Sequence, residues 1–234
     1  MVKSCAVIQG QVYPQIVNQL IDTYKDFPDK ILSTWSSEDK ESIDLLRTSG
    51  FQIVTQEEPE YKTPVNYMTK SLQKGIEFAA MLGYTHVFRM RTDVRCSAFS
   101  KLVNILETDY LLDKLSFIML CKNTSDGDSY LCDHIVYGPI SDVKRYFSAR
   151  QTVVDTRYSE SLYQEQYFGV STSSVSYDYL KDKVQFFLNR CSREGIEFHF
   201  TKPIYVDQGD LVQRYLWWNK EPSLRVQNSL KNIV

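Results

Sequence analysis

Tyr84-Thr85-His86-Val87-Phe88-Arg89-Met90-Arg91-Thr92-Asp93 is the stretch on which the reading of the fold turns. His86 to Met90 predicts a strand, entered from a helix that Gly83 ends and leaving through Arg91-Thr92-Asp93. A strand that ends in an acidic residue, inside an alternating α/β pattern, presents one carboxylate at the sheet edge. Mg²⁺ and Mn²⁺ prefer oxygen donors and are commonly shared between one or two carboxylates and substrate phosphates. Asp93 is therefore the first expected metal and diphosphate ligand.

The same alternation extends outward on both sides. Cys5 to Gln9 is a short apolar run closed by Gly10, and Ile16, Val17, Leu20, Ile21 and Tyr24 recur at helical spacing after Pro14. Lys30 to Thr34 reads as a second strand. Ser36 and Asp39 form a capping-box pattern for a helix that runs to Ser49 and stops at Gly50, and Phe51 to Thr55 reads as a third strand. A polar stretch, Gln56 to Pro64, leads into a longer helix with Met68, Leu72, Ile76 and Ala79 on one face. Beyond Asp93, Phe99, Leu102, Val103, Leu106 and Tyr110 mark a helix and Leu115 to Leu120 a strand. Such β-α-β alternation predicts an α/β fold, a mainly parallel sheet flanked by helices on both faces. Ligands of these sheets bind beyond the carboxyl ends of the strands, which puts Gly10, Trp35, Thr55 and Asp93 near one edge.

The second half is less regular. Asn123 to Asp128 is turn-rich, Asp133 to Tyr137 reads as a strand and Pro139 to Phe147 as a helix. Glu160 to Phe168 and the stripe Tyr177, Leu180, Val184, Phe187, Leu188 predict two more helices, and Ile196 to Phe200 and Ile204 to Val206 two short strands. No linker, repeat or low-complexity tract separates the halves, so residues 1–234 are read as one domain.

Composition narrows the function classes. With 234 residues, 43% of them hydrophobic, the chain has ample material for one core. A formal net charge of −2 gives no global field for DNA or an anionic membrane, and nucleic acid is not an expected partner. The five cysteines are scattered without a C-x-x-C, which fits reduced thiols in an intracellular setting. His86, His134 and His199 lie too far apart for a zinc motif. The first ten residues read as a strand rather than a leader, and no run approaches the roughly 20 apolar residues that span a bilayer. A soluble, cytoplasmic protein with no integral membrane segment is expected. Sixteen tyrosines and twelve phenylalanines either fill the core or furnish a surface for sugars or bases.

Ala6-Val-Ile-Gln-Gly10, Ile31-Leu-Ser-Thr-Trp35 followed by Glu38-Asp39, Asn66 ahead of Gly75 in one helix, and Phe88-Arg-Met-Arg-Thr-Asp93 occur in an order that resembles WavE-like glycosyltransferases. These include bacterial lipopolysaccharide-synthesis enzymes and related proteins of large DNA viruses. The resemblance covers residues 5–95 and continues weakly through Asp133-His-Ile-Val-Tyr-Gly138 and Glu165-Gln166. It implies a GT-A (Rossmann-like) fold, with 1–120 as the nucleotide-sugar half and 121–234 as the acceptor half. It also implies transfer of a sugar from a UDP- or GDP-sugar donor to a glycan acceptor, usually with Mn²⁺ or Mg²⁺. For a viral chain the compartment would be the host cytoplasm. The usual GT-A metal motif is Asp-x-Asp, whereas Arg91 stands at its first position here, as a basic residue often does in WavE-like proteins.

The resemblance also distributes roles. Gln9, Gly10 and Gln11 follow the first strand, where GT-A enzymes hold base and ribose, and Gly10 lets backbone approach the nucleotide. Arg91 pairs with donor phosphates or ribose, or else makes a structural salt bridge. Ser33, Thr34 and Trp35 offer hydroxyls and an indole to the base, with core packing as the other use of Trp35. Asn66 and Lys70 share a helix face, and Lys70 either neutralises diphosphate charge or is a solvated surface lysine. Transfer with inversion needs a carboxylate to take the acceptor proton. Asp133 is preferred for that, with Glu165 second. His199 is read as a distal metal ligand or a packed strand residue, with Asp207 and Asp210 as rivals, and Trp217 and Trp218 as a lid or as packing. Two other functions stay open: a sugar-1-phosphate nucleotidyltransferase, for which Gln9-Gly-Gln11 is a poor glycine-rich loop, and an inactive nucleotide-sugar-binding module.

Overall fold

The computed structural model describes residues 2–109, 115–122, 129–148, 193–196 and 198–200. Strands β1 (Ser4–Gln9), β2 (Lys30–Trp35), β3 (Gln52–Gln56) and β4 (His86–Arg91) form the parallel part of a six-stranded sheet. β6 (Ser116–Lys122) and β7 (Ser129–Pro139) complete it in the order β3-β2-β1-β4-β7-β6. β7 runs antiparallel to both β4 and β6. The fold is thus α/β and Rossmann-like, with a mainly parallel mixed sheet. The antiparallel edge was not in the sequence expectation, because strand direction follows from connection path rather than from residue pattern.

Every residue of β1 and β2 is buried, so these strands show no polar alternation. That is the mark of a sheet covered on both faces. Alternate residues instead sort between two apolar layers. Ala6, Ile8, Leu32, Phe88 and Met90 pack with helices α1 (Val17–Tyr24), α2 (Lys40–Thr48) and α4 (Phe99–Asp109). Cys5, Val7, Ile31, Val87 and Val136 pack with α3 (Pro64–Met81) and α5 (Ile140–Tyr146). The α3 stripe is the expected one, since Met68, Leu72, Ile76 and Ala79 are all buried.

Local chemistry sets the helix ends. The expected capping box of Ser36 is corrected: Asp39 is the cap, accepting from the Ser42 backbone N–H at 2.8 Å and from its hydroxyl at 2.7 Å. Ser36 is held elsewhere, its N–H on the Gln56 carbonyl at 2.8 Å and its hydroxyl on Glu57 at 2.6 Å. The chain cannot become helical until it has left β2 and that contact. Thr63 caps α3 through the Asn66 N–H, followed by Pro64 at the first helical position, where a missing N–H costs nothing.

Two short elements follow Asp93. β5 (Val94–Cys96) turns back and pairs antiparallel with β8 (Phe198–Phe200), with Arg95 opposite His199. The sequence expected a strand over Ile196 to Phe200 but not its partner. Among the described residues no helix is long and apolar enough to cross a membrane. Glu165, the two predicted helices after residue 160, Asp207, Asp210, Trp217 and Trp218 lie outside the described residues.

Candidate functional site

The carboxyl ends of β1, β2 and β4 open into a cleft of about 520 Å³ on the α3 side of the sheet. Gln9, Gly10 and Gln11 contribute from β1 and its exit, Trp35 and Glu38 from β2 and the turn after it, and Arg89, Arg91, Thr92 and Asp93 from β4. Glu58, Lys62 and Tyr67 close the far wall from the loop before α3 and from its first turns. A cleft of this size suits a ligand of nucleotide class.

The floor is fastened before any ligand arrives. Gly10 has φ 129°, and a Cβ there would stand 2.9 Å from the Thr92 hydroxyl, so only glycine lets the β1 and β4 exits approach this closely. The Thr34 hydroxyl lies 2.8 Å from the Gly10 carbonyl, and the Thr92 hydroxyl donates to the Gln11 carbonyl at 2.7 Å. The Thr92 N–H donates to the Gln9 carbonyl at 3.1 Å.

Two guanidinium groups define one end of the cleft. Arg89, in the middle of a buried strand, is fully enclosed. Its Nη2 and Nε donate to Gln9 Oε1 at 2.8 and 3.2 Å, and the group lies 5.1 Å from the Phe147 ring centre. Arg91, two residues on and so on the same sheet face, forks Asp93 with Nε–Oδ1 at 2.8 Å and Nη2–Oδ2 at 2.6 Å. Its side chain keeps 21% of its surface exposed, against 5% for Asp93.

That fork bears on the expected metal. Both Asp93 oxygens face Arg91, and among the described residues no group of three or more His, Cys, Asp or Glu side chains converges as a metal site. A Mn²⁺ or Mg²⁺ ion at Asp93 would have to share that one carboxylate with a guanidinium and draw the rest of its oxygen ligands from substrate phosphates and water. The described side chains alone therefore do not make a resident divalent-metal site. His199, the second expected ligand, is placed through its backbone in β8.

The opposite end is aromatic and acidic. Trp35 meets Tyr67 edge-on, ring centres 5.0 Å apart. Glu58 accepts from the Tyr67 hydroxyl at 2.7 Å, Lys62 Nζ at 2.8 Å and the Ser37 hydroxyl at 2.9 Å. Lys62, then Tyr67 and Ser37, hold its carboxyl down to about 2. Glu38 behaves oppositely. Burial raises its pKa above the ordinary value and nearby Glu58 adds to this, while the Thr34 hydroxyl, 2.7 Å away, acts the other way.

The sign of each shift fixes a pH dependence. Glu58 adds stability above the unfolded carboxylate value of 4.5, and loses it as pH falls toward about 2. Glu38, raised in the folded state, is a liability that sets in as pH climbs through and beyond 4.5. Glu38→Gln should therefore melt higher than wild type at neutral pH, with the gain vanishing below the carboxylate range. Melting curves from pH 4 to 8 check this, and a pH-independent difference would contradict it.

Of the residues singled out in the sequence, Gln9, Gly10, Gln11, Trp35, Arg91 and Asp93 share this cleft. Ser33 and Thr34 stand behind it: the Ser33 hydroxyl donates to the Ser71 carbonyl of α3 at 2.6 Å, and Thr34 bridges Gly10 and Glu38. Asn66 and Lys70 hold the wall loop, through the Tyr61 carbonyl at 2.8 Å and the Glu58 carbonyl at 3.2 Å. Asp133 lies in the β7 backbone two residues before Ile135, which pairs with Met90, and so enters at the same sheet edge. Arg89, Glu58, Lys62 and Tyr67 were not singled out. Arg89 had a signal, a charge inside an otherwise apolar strand; the loop residues had none.

No protein-family model matches the chain, and no curated protein matches it. Among solved structures it is similar to a cytidylyltransferase from Leptospira borgpetersenii serovar Hardjo-bovis (strain JB197), at 11% identity and a TM-score of 0.45. The similarity covers 94% of this chain and 98% of that one.

Proposed function

We propose that the cleft binds a UDP- or GDP-sugar and that the chain is a glycosyltransferase, passing the sugar to a glycan acceptor. The observation that carries this reading is the division of one cleft into a cationic end, at Arg89 and Arg91, and an aromatic, carboxylate-bearing end, at Trp35, Tyr67, Glu38 and Glu58. A nucleoside diphosphate has the matching polarity: an anionic diphosphate, and a flat base and ribose rich in N–H and O–H groups. The position at the carboxyl ends of parallel strands is where such sheets take their ligands.

The chemistry follows from this orientation. An acceptor hydroxyl oxygen attacks the anomeric carbon, and the bond from that carbon to the diphosphate oxygen breaks with its electron pair. Arg91, held in plane by Asp93, meets the charge developing on the leaving diphosphate. The hydroxyl proton passes to a carboxylate, for which Asp133 is the proposed base and Glu165 the second choice, in a displacement with inversion. No step is assigned to Mn²⁺ or Mg²⁺, since the described side chains alone do not form a site for one.

Incubation with a panel of UDP- and GDP-sugars, followed by chromatography of the nucleotides, tests the reading. Release of UDP or GDP from one sugar nucleotide is expected. Pyrophosphate formed from a nucleoside triphosphate and a sugar 1-phosphate would identify a nucleotidyltransferase instead. Binding without release would identify an inactive binding module.

A further inference from the structure

We infer that Arg89 fixes the Gln9 side chain so that only its amide N–H₂ side is turned to the cleft, where it donates to a phosphate oxygen of the bound nucleotide. This rests on the reading of the cleft as a nucleoside-diphosphate site, and it assigns Arg89 as a positioning residue for that site. A guanidinium has donors and no acceptor. The Gln9 atom lying 2.8 and 3.2 Å from Arg89 Nη2 and Nε must therefore be the carbonyl oxygen, whichever way the amide is drawn. The amide nitrogen occupies the other arm of the same planar group.

Both residues line the cleft, but Gln9 keeps 5% of its surface exposed whereas Arg89 behind it has none. The buried side of the amide is thus the acceptor, and the side left for a ligand is the donor. A cation on the carbonyl oxygen also polarises the amide and strengthens its N–H groups as donors. Gln9 and Arg91 are backbone partners across β1 and β4, so this donor lies beside the second guanidinium. Side-by-side groups that only donate, above a buried positive charge, match the oxygens of a phosphate. The base then falls to the aromatic end.

Gln9→Glu separates this role from a structural one. Its carboxylate still satisfies Arg89, so the unliganded melting temperature should change little, but the atom facing the cleft becomes an anionic oxygen. Calorimetric titration with UDP and GDP, and with uridine and guanosine, reads the effect. Diphosphate affinity should fall by about 30-fold or more, with nucleoside affinity changing by less than about threefold. Should Gln9→Glu fail to fold, Arg89→Lys decides, because one ammonium cannot fork the amide oxygen; a loss of about tenfold confined to the diphosphates is expected. Equal losses for nucleoside and diphosphate, or none, would overturn the inference while leaving the site reading intact. A wild type that binds neither diphosphate removes both.

Discussion

Arg91→Ala is expected to lower nucleoside-diphosphate release from the donor sugar by about 10²–10³-fold, the usual loss when one charge-stabilising group is taken from a reacting centre. Arg91 is the cleft guanidinium with appreciable exposure, 21% of its side chain, while Arg89 is sealed beneath Gln9. Its direction is set by the two-bond fork to Asp93, at 2.6 and 2.8 Å. Arg91→Lys should recover only part of the rate, because an ammonium cannot both fork a carboxylate and keep a fixed plane toward a phosphate. Asp93→Asn should fall between the two, since it weakens the fork without removing the cation. Turnover of the three variants, with melting curves to confirm folding, checks the order. Arg91→Ala within about threefold of wild type would show that the leaving diphosphate is neutralised elsewhere.

Gly75→Val is expected to be the most damaging single change outside the cleft. At Gly75, α3 lies against the sheet with no room for a side chain. A Cβ built there would stand 2.6 Å from Val7 Cγ1 and 2.9 Å from Ser33 Cβ, both buried in strands that cannot retreat without opening the layer. Even Gly75→Ala, which gains about 1 kcal/mol of helix propensity, should lose more than that to overpacking. The valine adds two methyl groups to the clash, and a cost of about 3 kcal/mol or more is expected, some 6–12 °C in melting temperature for a domain of this size. Because Ser33 also ties α3 to β2 through the Ser71 carbonyl, the far wall of the cleft would shift as well. Thermal unfolding of the two variants measures this, and a Gly75→Ala that melts above wild type would contradict the packing argument.

Periodicity made much of this legible in the sequence. The runs Cys5–Gln9, Lys30–Thr34 and His86–Met90 and the stripe Met68-Leu72-Ile76-Ala79 placed three parallel strands and α3 nearly where they lie. The sheet edge followed, because ligands collect at the carboxyl ends of such strands; Gly10, Trp35 and Asp93 were placed near it on that ground, together with Thr55, while Gln9 and Arg91 came in with the family resemblance. What stayed hidden depends on contacts rather than on pattern. Nothing in the position of Asp93 along the sequence says that Arg91 will fork it; that needs the tight turn after β4. Nothing in Ser33 or Asn66 distinguishes a hydroxyl or amide facing a ligand from one fastening the backbone of a neighbour. The wall residues Glu58, Lys62 and Tyr67 come together through a loop without periodicity, so no spacing rule could have gathered them. Arg89 was the exception that could have been read: a charge within an apolar strand demands a partner, and Gln9 on the adjacent strand supplies it.

The most direct test of the central claim, that one cleft takes the diphosphate at Arg91 and the base at Trp35, is a crystal structure of the chain with UDP or GDP bound. The expected result is a diphosphate oxygen within hydrogen-bond reach of Arg91, and of the Gln9 amide nitrogen, with the base lying toward Trp35 and Tyr67. A nucleotide seated away from the carboxyl ends of β1 and β4, or turned so that its base rests on Arg91, would contradict it.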